Sequence, residues 1–78
     1  MALIRSSTPI GTHLPGRVHG EVECGYGTFE DRGRRFLQLD TYGSADRAIP
    51  GKVSQTFHLD EEGARELKKL LLESFPGL

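Results

Sequence analysis

At 78 residues and a net charge of −1 the chain has room for one small domain, and ten Lys and Arg against eleven Asp and Glu exclude any argument for nucleic-acid binding from bulk charge alone. With 36% hydrophobic residues and no Trp the core must be thin, so a second copy of the chain is a natural cover for a remaining apolar face and a homodimer is among the expected partners. A lone Cys24 excludes an internal disulfide, and no apolar run reaches the length of a secretory signal or a membrane span; the expectation is a cytoplasmic protein with no membrane association.

Residues 1–16 are punctuated by Ser6, Ser7, Thr8, Pro9, Gly11, Pro15 and Gly16 and read as a flexible N-terminal arm ahead of a single domain over 17–78. Leu3, Ile4 and Ile10 are the arm's candidates for docking on the domain or on a partner. Residues 17–30 alternate as a strand, with Val18, Val22, Cys24 and Tyr26 on one face and His19, Glu21 and Glu23 on the other. Gly20, Gly25 and Gly27 interrupt it and imply strong twist, or close approach by another group.

Asp31, Arg32, Gly33 and Arg34 have the chemistry of a hairpin turn. The next strand, 35–42, sets Leu37, Leu39 and Thr41 against Phe36, Gln38, Asp40 and Tyr42; the first set suits a core and the second a wet contact surface. Residues 43–52, GSADRAIPGK, form a loop longer than a hairpin requires. Val53, Gln55, Phe57 and Leu59 then alternate with Ser54, Thr56 and His58 in a last strand.

Asp60 is placed to cap a helix over 60–75, with Glu61 and Glu62 at the positive end of its dipole. Ala64, Leu67, Leu70, Leu71 and Phe75 form its inward stripe, Leu72 falls off it and is expected to be half exposed, and Pro76 and Gly77 stop it. The apolar strand face and the helix stripe can bury one another only if the helix lies across the sheet. The fold expected is α+β: a small twisted antiparallel sheet of three to four strands with one C-terminal helix packed on one face.

Little chemistry of catalysis is legible. His13, His19 and Cys24 match no metal-ligand spacing, and His58 reads as a surface strand residue. Ser44 and Ser54 lie outside any nucleophile elbow, and Cys24 reads as a buried structural thiol. No cofactor is implied. The constellation above background is basic and aromatic: Arg32, Arg34 and Arg35 at the hairpin, Arg47 and Lys52 in the long loop, and Phe36 and Tyr42 between them. Cations that bracket stacking platforms suit single-stranded DNA or RNA.

The run FLQLDTYGSADRAIPGKVSQTFHLD followed by the helix resembles a family of short bacterial proteins built around a QLDTYGS…DR…PGKVSQ core, some labelled methionyl-tRNA formyltransferase-like. More distantly, the order of strands, PGK, short strand and acid-capped helix is similar to the positive-cofactor-four type of coactivator, a likeness that implies dimerisation and single-stranded DNA binding across the sheet. A small non-catalytic binding module for single-stranded nucleic acid is therefore the leading expectation. The alternatives are a protein-interaction or regulatory subunit that docks on a larger partner, and a transferase-like or hydrolytic enzyme using Asp40, Tyr42, Ser44, Asp46 and Arg47.

Overall fold

The computed structural model describes residues 1–11, 16–43 and 52–78. It is α+β: an open four-stranded mixed sheet with one C-terminal helix. The elements are β1 (Ala2–Ile4), β2 (Cys24–Asp31), β3 (Arg34–Tyr42), β4 (Val53–Leu59) and α1 (Glu61–Ser74), and the strand order is β1-β4-β3-β2.

The hairpin between β2 and β3 follows from two residues. Arg32 and Gly33 take positive φ of 52° and 77°, the pair of left-handed conformations whose twist suits a two-residue turn between antiparallel strands. That turn sets Asp31 opposite Arg34, and the register runs from there to Cys24 opposite Thr41. β4 pairs antiparallel to β3 on the other side, Leu37 opposite Leu59 and Leu39 opposite Phe57. The pairing skips Ser54 between Gln55, opposite Thr41, and Val53, opposite Tyr42.

Two departures from the sequence reading concern the first third of the chain. The expected strand over 17–30 begins only at Cys24, because β3 ends at Tyr42 and offers no ladder beyond it; the Tyr42 N–H closes the pairing on the Glu23 carbonyl, 3.1 Å. Val18 and Val22 are accordingly exposed, and Cys24, expected to be a buried thiol, is exposed as well because it is the first residue of β2, at the end of the ladder. The arm, in turn, opens as a strand: Ala2, Leu3 and Ile4 pair parallel with Phe57, His58 and Leu59, which makes the sheet mixed where antiparallel pairing alone was expected. The same segment is tied further along by Ser7 N–H to Glu66 Oε2 (2.7 Å) and Arg5 to Asp60 (3.5 Å).

Asp60 joins sheet and helix. Its Oδ1 accepts from the Gly63 N–H at 2.8 Å, the N-cap bond that satisfies a free amide of the first turn, and its Oδ2 meets Arg34 Nη2 at 3.2 Å and Arg5. The carboxyl is only 4% exposed. The Gly63 amide, with Arg5 and Arg34, holds its pKa below the ordinary 3.8 against the opposing push of burial. Gly63 is buried against the Ile4 carbonyl, so that a Cβ there would collide with β1 backbone.

The helix lies on the Leu37 and Leu59 face of the sheet, as expected, and its inward direction is set by Gly63, Ala64, Leu67 and Leu70. Leu71 and Phe75, assigned to the inward stripe by spacing, stay 38% and 61% exposed. The cause is that α1 is anchored at its first turn, while Phe75 is the C-cap, with φ −131° and ψ 82°, off the helical path. Among the described residues, Leu59 is the one buried hydrophobic residue.

Candidate nucleic-acid interface

The face of the sheet away from α1 is built by alternation. Because Leu37 and Leu59 point to the helix, Phe36, Gln38 and Asp40 of β3 and Thr56 and His58 of β4 point to the other side, and register places Phe29 of β2 beside Phe36. The two rings stack with centroids 5.3 Å apart and planes 21° from parallel, and the His58 ring meets Phe29 edge-on at 4.9 Å. The Arg34 guanidinium lies 5.1 Å from the centre of the Phe36 ring while its Nη2 reaches Asp60.

Next to the aromatic cluster runs a ladder of polar side chains. Gln38 is hydrogen-bonded to His58 Nε2 through its Oε1 (2.9 Å) and donates from Nε2 to both Asp40 oxygens (3.1 and 3.2 Å), and the Thr56 hydroxyl donates to Asp40 Oδ1 (2.8 Å). All four residues are half-buried. An open hollow of about 490 Å³ lies beside the ladder, lined by Met1, Ala2, Leu3, Gln38, Thr56 and His58. At the far end the Tyr42 ring rests over Gly25, whose missing side chain leaves room for it: a Cβ there would sit 2.6 Å from the Tyr42 hydroxyl.

The structure gathers some of the residues singled out from sequence and separates others. Arg34 and Phe36 are in contact; Arg32 stands at the exposed turn beside them. Tyr42 is at the opposite end of β3, and Lys52 is brought next to it because the Gly43 N–H donates to the Lys52 carbonyl at 3.2 Å. Arg35 leaves the aromatic face: by alternation it shares the face of Leu37, and together with Arg34 it lines the cleft at the start of α1 beside Glu61 and Glu62. Arg47 lies outside the described residues, as do Ser44 and Asp46 of the alternative enzyme constellation. The Asp40 of that constellation is engaged by Gln38 and Thr56.

Phe29 and His58 belong to this surface and were not singled out. A signal for Phe29 was present: once Arg32 and Gly33 are taken as a two-residue turn, counting outward sets Phe29 opposite Phe36. His58 required the pairing of β3 with β4, which no local pattern reveals. Among the described residues no group of three His, Cys, Asp or Glu is arranged to hold a metal ion, and no helix is long and apolar enough to cross a membrane. Compared with protein-family models, with curated proteins and with solved structures, the chain matches none.

Proposed function

We propose that the uncovered sheet face binds single-stranded nucleic acid, DNA or RNA, in the cytoplasm, as a non-catalytic module. The observation that carries this reading is the guanidinium of Arg34 set over the Phe36 ring, itself stacked on Phe29, on the face that α1 leaves open. A base laid on Phe29, which is 36% exposed, extends that stack, and its flanking phosphates fall near Arg32 and Arg34. Lys52, beside Tyr42, supplies a cation at the other end of β3, so a strand that crosses the sheet meets positive charge at both margins.

Asp40 shapes the same reading. A carboxylate in the middle of the face repels phosphate, which supports a strand that turns its bases to the sheet and its backbone to the margins. Titration of a labelled single-stranded oligonucleotide at two salt concentrations tests this: for three cations on phosphates, log K is expected to fall with log salt at a slope of about −2. Binding that is absent, or indifferent to salt, overturns the proposal. Phe36→Ala is expected to weaken binding about 10- to 100-fold through loss of the stack.

A further inference from the structure

The polar ladder on the open face has already given away its hydrogens. Asp40 is a carboxylate and only accepts, so it decides which end of the Gln38 amide faces it: Nε2, 3.1 and 3.2 Å from its two oxygens. The Thr56 hydroxyl hydrogen goes to the same carboxylate at 2.8 Å. The hydrogen between Gln38 Oε1 and His58 Nε2, 2.9 Å apart, is taken as well. What Thr56, Gln38 and Asp40 have left to offer is lone pairs. Among the described residues no buried side-chain polar atom lacks a partner, so the ladder stands in this arrangement before any ligand arrives.

The hollow of about 490 Å³ beside the ladder is lined by the polar Gln38, Thr56 and His58 and by the apolar Met1, Ala2 and Leu3. Its volume is that of a small-molecule site, and its lining suits a flat ring with a polar edge. His58 borders both this hollow and Phe29, whose ring it meets edge-on at 4.9 Å. A base in the hollow is therefore a neighbour of the base stacked on Phe29.

We propose that the hollow takes guanine from the bound strand; this rests on the nucleic-acid reading of the face and adds a base preference to it. A lining whose side chains keep acceptors and have spent their donors calls for a base edge rich in donors. Guanine carries N1–H and N2–H₂ side by side on its Watson–Crick edge. Adenine and cytosine each set one amino group beside an acceptor nitrogen, and thymine or uracil sets one N–H between two carbonyls, which would face the lone pairs of Gln38 and Thr56. Asp40 is a positioning residue here: it acts through Gln38 and Thr56 by holding their hydrogens away from the hollow.

The test uses the full chain and single strands of about ten thymidines, the central base being guanine, adenine, cytosine or thymine, at about pH 8, above the range in which imidazole ordinarily protonates. The guanine strand is expected to bind at least about tenfold more tightly than the thymine strand, with adenine and cytosine between. Hypoxanthine, which keeps N1–H and lacks the 2-amino group, is expected to lose roughly threefold or more of guanine's affinity. Equal affinities across the series, or a preference for thymine, overturn the inference and leave the nucleic-acid reading standing; binding to none of the strands overturns both. Asp40→Asn supplies a donor of its own, so the Gln38 amide is free to turn over, and the guanine-to-thymine ratio is expected to fall to within about twofold. Thr56→Ser, which keeps the hydroxyl, is expected to preserve the ratio, and a ratio unchanged in Asp40→Asn overturns the positioning role. Because the wild-type series decides the base preference by itself, a variant that fails to fold leaves the proposal open to refutation.

Discussion

The two faces of the sheet differ in a way that runs against their coverage. The face under α1 has a lid and still exposes hydrocarbon, with Leu59 the one buried hydrophobic residue among those described; the face without a lid has its side chains tied to one another, Phe29 to Phe36 and His58, and Gln38 to His58 and Asp40. Coverage by an element and satisfaction of side chains are thus separate quantities. A surface can be open to water and ordered by its own stacking and hydrogen bonds, and another can be roofed and remain incomplete because the roof is fixed at one end. The nucleic-acid reading rests on the first case.

Substitutions can break this contrast from either side. The largest effect is expected at the fixed end of the roof: Gly63→Ala drives a methyl into the Ile4 carbonyl, so β1 must leave β4 or α1 must lift, at a cost of about 3 kcal/mol in urea unfolding. Leu59→Ala, which empties the one buried apolar position among the described residues, is expected to cost about 2–3 kcal/mol, toward the low end for such a truncation because the surrounding packing is loose. On the other face, Thr56→Val removes a donor to Asp40 and is expected to cost about 1 kcal/mol by the same unfolding measurement.

The finest discrimination comes in acid. Asp60 has a lowered pKa, so its contribution to stability is fully present above the ordinary value near 3.8 and is lost as pH falls through its lower folded value. Asp60→Asn is expected to flatten that acid-side dependence, as read from melting temperatures along a pH series, whereas substitutions in the ladder leave its Asp60 component in place. An unaltered pH profile in Asp60→Asn would mean that Arg5, Arg34 and Gly63 do not stabilise the charged form.

What the sequence made legible was local. The chemistry of Arg32 and Gly33, the alternation through Leu37 and Leu39, and the Asp60 cap each act within a few residues, and the hairpin, β3 and the helix start lie where they were expected. Leu72 is half exposed, as its place on the helix implied. What stayed hidden depends on distant partners. Three residues, Ala2–Ile4, carry no periodicity, and their place in the sheet follows from Gly63 admitting the Ile4 backbone; the late start of β2 follows from the length of β3. The site divides the same way: Arg34 and Phe36, two apart on one strand, share a face by alternation, while Arg35 between them must point elsewhere, and counting charges along the chain does not distinguish the two.

The ladder on the open face also fixes a direction. Gln38 spends its amide hydrogens on Asp40, which leaves only its oxygen for His58; Nε2 of the imidazole must therefore carry a hydrogen, and the neutral ring is the Nε2–H tautomer. The carboxylate of Asp40, one strand away, thus selects the tautomer of His58 by way of an amide that does not itself ionise. Any molecule that docks on this face meets an imidazole whose Nε2 hydrogen is fixed by a carboxylate that the ring does not touch.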